Sequence, residues 1–227
     1  MSNRNHIIFL LLFFSVAHIV SAQRINAYVS AGAAFSQIEG DELKGFNKLG
    51  FAGSVGAMAN LSGNGRWQMS VEAGYARRGA FNNSGDPYNV KIMLDYVDIP
   101  LTVFFKDPYG GLLVGIGPVY SRLVQQPHDK ISFSPEYFIP DTADMTFLKN
   151  DLALAGEIRF AIWRGLHMSI RYQYSIIPVK KNWHFEENPN TTSYRKWGNN
   201  CYNISAMVRI LWQFGATGDG SVSKSKR

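Results

Sequence analysis

Six charged residues stand inside otherwise apolar, alternating stretches of the sequence: Glu72, Asp98, Glu157, Arg159, Arg171 and Arg209. Carboxylates and guanidinium groups form bidentate pairs, and a charge enclosed in a protein needs such a partner. Held in a narrow channel, these side chains would either plug it with ion pairs or line a polar path through it. Catalytic material is thinner. His128 lies beside Asp129, with Ser132 and Ser134 close by, and covalent catalysis needs a nucleophile and a base together. The chain has only 5 His and no Gly-x-Ser-x-Gly. No His, Cys and Asp cluster has the spacing of metal ligands. The single cysteine, Cys201, excludes an internal disulfide. Gly110 to Pro118 is glycine-rich, yet it lacks the third glycine of a phosphate-binding loop and no lysine follows; Pro118 does not suit a helix start there. Small residues facing a crowded interior explain Gly115 and Gly117 better. These features point to no cofactor, no metal and no enzyme, and to a structural or interaction protein. An enzyme acting on envelope lipids and a narrow pore stay as alternatives.

Elements must hold those charges in place. The chain has 227 residues, 46% of them hydrophobic, 14% aromatic and 18% charged, with 21 Gly. That is too apolar for a disordered chain and favours strands over helical bundles. Arg4, the apolar run Ile7–Phe14 and the small residues Val20-Ser21-Ala22 have the layout of a signal peptide, residues 1–22. The Gly/Ser/Lys-rich end, residues 215–227, reads as a flexible tail. Residues 23–214 between them make one domain. The net charge of +6 is scattered rather than striped, so nucleic acid is not a partner.

Period-2 alternation dominates that domain. The apolar faces run through Ile25–Ala33, Leu49–Leu61, Trp67–Tyr75, Val97–Phe105, Leu112–Tyr120, Leu152–Ile162, Leu166–Ile176 and Tyr202–Phe214. None of these faces carries a charge, and the six charged residues fall on the opposite faces. No later stretch is long and apolar enough for a spanning helix, so a membrane-spanning form must be a closed barrel. Alternation alone fits a soluble barrel of the lipocalin type as well. Loop lengths decide. The joints at Ser62–Gly65, Lys106–Gly110 and Trp163–Gly165 are short. They alternate with long ones at Phe35–Lys48, Ala76–Tyr96, Val124–Asn150 and Ile177–Asn200. Outer-membrane barrels place turns on one side and long loops on the other. Aromatics agree. Trp67, Phe105, Trp163, Trp212 and Phe214 lie at the short-turn ends, and Tyr75, Tyr120, Tyr174 and Tyr202 near the long-loop ends, as membrane-interface girdles would. The expected fold is all-β, an eight-stranded antiparallel up-and-down transmembrane β-barrel in the cell outer membrane, in contact with its lipid. The long loops carry Pro135, Tyr137, Phe138, Trp183, His184, Phe185, Tyr194 and Trp197, whose aromatic side chains are equipment for binding or for closing the barrel mouth.

Several motifs carry a resemblance. Glu72, Tyr75 and Gly79 fit "E-x-x-Y-x-x-x-G", and Leu94, Tyr96, Ile99, Pro100 and Leu101 fit "L-x-Y-x-x-I-P-L". Gly115, Gly117, Pro118 and Tyr120 fit "G-x-G-P-x-Y". The opening Gly32–Gly56, with Ile38-Glu39-Gly40-Asp41 and Gly45-Phe46, is similar too. Over Gly32 to Arg122 the chain resembles the PorT-like outer-membrane β-barrel family of Bacteroidetes. The resemblance implies an integral outer-membrane barrel, and, through the family's founding member, a role in protein export by the type IX route with other envelope or secretion proteins as partners. One departure is that the terminal strand signal, Ile210–Phe214, is followed by further chain.

Overall fold

The computed structural model describes residues 25–40, 45–81, 88–89, 91–109, 111–125, 132–133, 146–183 and 199–214. Eight long strands form the barrel: β1 (Asn26–Glu39), β2 (Lys48–Asn60), β3 (Trp67–Phe81), β4 (Lys91–Lys106), β5 (Leu112–Gln125), β6 (Asn150–Trp163), β7 (Leu166–Ser175) and β8 (Asn199–Gln213). Each pairs antiparallel with the next in sequence, and β1 pairs back onto β8 from Tyr28↔Gln213 to Glu39↔Tyr202, so the sheet closes. Closure leaves no long edge with unpaired backbone groups, the condition for a sheet in hydrocarbon.

Side-chain polarity is inverted relative to a soluble barrel. Val55 and Ile116, on the outer face, are each 59% exposed, whereas Glu157 and Arg171, facing inward, are 1% and 2% exposed. Apolar side chains outside and charges inside are the sorting of a lipid-embedded barrel, and the soluble lipocalin-type alternative is excluded by it.

Tight turns have local causes. In Ser62–Gly65 the Asn64 Oδ1 accepts from the Ser62 hydroxyl at 2.7 Å and from the Arg66 amide at 3.1 Å. Ser62 Oγ in turn accepts from the Trp67 amide at 3.1 Å. Gly165 takes a φ of 73° in the turn before β7, a left-handed conformation that glycine adopts without strain.

On the long-loop side the strands run further than alternation suggests. β1 continues to Glu39, and β3 and β4 pair as far as Phe81↔Lys91, so the second long joint shrinks from Ala76–Tyr96 to residues 82–90. The reason lies in the inward residues there. Ile38, Ile92, Leu94, Tyr96, Leu123 and Cys201 are apolar and buried, packed with Phe147 and Val179. Beyond the apolar belt the barrel reverts to the soluble arrangement, apolar inside, and the belt's pattern ends although the strands do not. β1 and β3 meet above the start of β2, where the Ser36 hydroxyl donates to the Gly79 carbonyl and accepts from the Gly79 amide, both at 3.0 Å. Two short additions extend this end: residues 180–183 pair with β8, and residues 88–89 pair with 132–133.

Glycine in β5 permits close packing. A Cβ on Gly117 would lie 1.9 Å from the Leu101 carbonyl oxygen, and one on Gly115 would lie 2.5 Å from the Phe104 ring. Gly117→Ala is expected to force β4 and β5 apart and to lower stability by about 1–3 kcal/mol, the usual cost of overpacking. Urea unfolding in lipid vesicles, followed by tryptophan fluorescence, measures it.

Candidate functional site

The interior is stratified along the barrel axis. At the short-turn end Tyr28, Met58, Phe104, Leu113 and Leu211 form an apolar plug. Above it lies an ionic lattice of two acids and three arginines. Glu72 comes from β3, Glu157 and Arg159 from β6, Arg171 from β7 and Arg209 from β8. Their inward direction follows from strand parity: Glu157 pairs across strands with Arg171, and Arg159 with Ser169. Each arginine bridges both glutamates. Arg159 reaches Glu72 and Glu157 at 2.7 Å each. Arg171 donates to Glu72 at 2.6 Å and through Nε to Glu157 at 2.7 Å. Arg209 donates to them at 2.9 and 3.0 Å.

Neutral side chains complete the shell. The Tyr28 hydroxyl donates to Glu72 at 2.8 Å, Ser54 to Glu72 at 3.0 Å and Ser169 to Glu157 at 2.7 Å. The Arg159 guanidinium lies between the Phe104 and Tyr28 rings, 4.5 and 4.7 Å from their centroids. That placement ties the lattice to the apolar plug through cation–π contact. The lattice pairs all five charges, which taken out of water unpaired would cost several kcal/mol each, and leaves the Arg209 Nε as its one buried donor without a hydrogen-bond partner among the described residues.

Asp98 belongs to a second polar layer, nearer the long loops. It pairs with Arg78, whose guanidinium also reaches Ser121 and Gln173 at 3.4 Å. Asp151 accepts from Ser175 at 2.8 Å and from Asn203 at 3.3 Å, and Asn203 also donates to the Tyr96 hydroxyl at 3.1 Å. Above this layer sits the apolar cluster around Leu94, Phe147 and Val179. Counted by formal charge, the lattice has three arginines against two glutamates and the second layer Asp98 and Asp151 against Arg78, so basic residues predominate in the lattice and acidic residues in the second layer.

Two groups escaped the sequence reading. Arg78 sits on β3 at the same parity as Ser70 and Glu72, so continuing the alternation past Tyr75 would have found it. The apolar plug residues Met58, Phe104, Leu113 and Leu211 also follow from parity, yet nothing in their chemistry distinguishes them from lipid-facing positions.

The aromatics expected at the membrane interface lie towards the two ends of the barrel. Trp67, Phe105, Trp163, Trp212 and Phe214 are exposed at the short-turn ends, and Trp67 meets Phe105 edge-on with centroids 5.2 Å apart. Tyr120 and Tyr174 are exposed towards the long loops, with Tyr75 and Tyr202 half-buried there. Tyr174 stacks on Tyr202 at 6.3 Å and donates to Glu39 at 2.6 Å. His128, Asp129, Ser134, Pro135, Tyr137, Phe138, His184, Phe185, Tyr194 and Trp197 lie outside the described residues, as do residues 1–22 and 215–227. For Ser132 and Trp183 only the backbone is described. Among the described residues no group of three or more His, Cys, Asp or Glu is placed to hold a metal ion.

A closed eight-stranded barrel with an apolar outer belt and an enclosed charge lattice defines an integral outer-membrane barrel. The chain belongs to the outer membrane protein beta-barrel domain family, whose model matches residues 7–216. Three solved structures are similar in outline. Neisserial surface protein A is 12% identical with a TM-score of 0.48, over 83% of this chain and 97% of that one. Ail, the attachment invasion locus protein of Yersinia pestis, is 13% identical with a TM-score of 0.43, over 84% and 99%. OprG from Pseudomonas aeruginosa is 14% identical with a TM-score of 0.37, over 83% and 95%. No curated protein matches the sequence.

Proposed function

We propose that this outer-membrane barrel works through its surfaces rather than its bore. It is a non-enzymatic structural or interaction protein of the cell envelope, and its partners belong to a protein-export apparatus, as the PorT-like resemblance implies. The observation that carries the first half is the filled interior. An apolar plug, an ionic lattice bridging β3, β6, β7 and β8, a second polar layer and an apolar cap follow one another along the axis. Eight strands enclose an interior that side chains fill. The lattice and its buried neighbours leave the long-loop face, with its short added strands, as the part available to other proteins.

The lumenal network and the aromatic girdles are assigned here to stability and to membrane anchoring. On this reading residues 1–22 are removed as a signal peptide, and residues 215–227 follow the barrel as a tail. Sequencing the N-terminus of the protein recovered from outer membranes tests the cleavage, with Gln23 expected first.

Two measurements test the function. In planar bilayers the purified barrel is expected to give no discrete single-channel steps; steady conductance would favour the pore. Deletion of the gene is expected to remove exported proteins from the medium, and normal export would end the secretion role while leaving the barrel reading intact. An enzymatic role would instead appear as an acyl composition of envelope lipid that depends on His128.

A further inference from the structure

We propose that the outer surface of β5 and β6 holds one anionic lipid, with its phosphate at Arg122 and Asn150 and an acyl chain packed into the gap over Gly156. The inference rests on the barrel being embedded in lipid and is independent of any role in export.

Arg122 stands on the lipid-facing side of β5, one pleat beyond the girdle tyrosine Tyr120, and pairs across strands with Asn150 of β6. The Asn150 side-chain oxygen accepts two hydrogen bonds, from the Tyr120 hydroxyl at 2.9 Å and from the Arg122 guanidinium at 3.2 Å. Its acceptor capacity is thereby used. What Asn150 and Arg122 still present outward is the amide N–H groups of one and the remaining N–H groups of the other, all donors, beside the Tyr120 oxygen, whose proton is spent on Asn150. Among the described residues Arg122 has no carboxylate partner, whereas Arg77, the other arginine at this level, is held by Asp95 at 2.7 Å and 3.1 Å. A fixed guanidinium with an adjacent amide donor fits phosphate in particular, through charge-assisted and bidentate bonds.

The outward glycine Gly156 supplies the second half. Gly156 faces outward between Ile116 of β5 and Tyr172 of β7, its register partners. A Cβ there would meet nothing within 4 Å, so no packing neighbour requires the glycine. The result is a gap of one side chain in the apolar belt, between the exposed Leu154 and Ile158. It lies six residues along the strand from Asn150, which at about 3.3 Å per residue is about 20 Å, the reach of a lipid chain. Donors at the head-group level above a gap at chain level make a lipid, rather than a soluble anion, the occupant.

The test uses the full barrel in mixed micelles of phosphatidic acid and phosphatidylcholine, with retained lipid counted by native mass spectrometry. Heat-modifiable gel mobility first establishes that each variant is a folded, embedded barrel, so a failure of the lipid site is distinct from a failure of the fold. The wild-type protein is expected to keep phosphatidic acid in preference. Arg122→Gln is expected to lower that preference about tenfold, the loss of roughly one charge-assisted contact. Gly156→Leu is expected to lower retention of phosphatidic acid with Arg122 intact, and Arg77→Gln to leave it unchanged. Unchanged retention in either of the first two variants overturns the proposal, and so does displacement of the lipid by inorganic phosphate.

Discussion

Replacing Glu157 by leucine is expected to destabilise the barrel by about 3–5 kcal/mol, the cost of breaking a buried ionic network from one side. The size follows from what is left behind. Glu157 is bonded to Arg159, Arg171 and Arg209 and accepts from Ser169. Without it, three buried guanidinium groups share Glu72 alone, and arginine cannot shed its charge as a lysine or an acid would. Polar solvent cannot reach them past the apolar plug and the cap. Removing Arg171 as well, as Glu157→Leu with Arg171→Met, restores the original excess of a single positive charge and fills the space with apolar side chains. This double variant is expected to recover most of the loss, because apolar replacement of a whole buried pair is often neutral. Urea unfolding in lipid vesicles gives both values. A single variant as stable as the parent, or a double variant no better than the single, would show that the lattice is not what holds the interior together.

Most of the belt was legible in the sequence because hydrocarbon imposes one rule on every strand that crosses it. Outward residues must be apolar, so Val97, Ile99, Leu101, Val103 and Phe105 expose a period of two that no turn or cap disturbs. The inward charges Glu72, Glu157, Arg159, Arg171 and Arg209 were legible for the same reason, as the only class of residue that rule excludes from the other face. Legibility stops where the lipid stops. Along β4 the outward apolar series gives way to Asp95 and the inward series to Leu94 and Ile92, with side-chain parity unchanged. The alternation therefore changes meaning part-way up the strand, and a reading tied to one meaning ended β3 near Tyr75 and missed Arg78. The partition of the polar interior into two layers was hidden for a different reason. Asp98 and Glu72 lie on neighbouring strands, but whether they share a partner depends on the stagger between strands, which closure of the barrel fixes and no single strand records.

An arginine at Val55 is expected to cost about 2–4 kcal/mol, the depth-dependent penalty for a charge on the lipid face at mid-belt. Val55 lies in one outward row with Val29 and Trp212 on one side and Ala73 on the other. It lies mid-strand in β2, away from both the tryptophan-lined and the tyrosine-lined rim, so an arginine there cannot extend its guanidinium to the head groups without thinning the lipid around it. The same substitution at Leu61, beyond the end of β2 and level with the tryptophan rim, is expected to cost at most about 1 kcal/mol, because the interface accepts the charge. The contrast between the two sites carries more weight than either value. In a barrel whose outer face met water, both arginines would be nearly neutral and Val55→Arg would improve solubility. In a barrel whose outer face meets hydrocarbon, the penalty must follow depth. Paired unfolding measurements of Val55→Arg and Leu61→Arg in the same vesicles therefore test the direction in which every strand is turned, and with it the enclosure of Glu157 and Arg171 on which the rest of the interior depends.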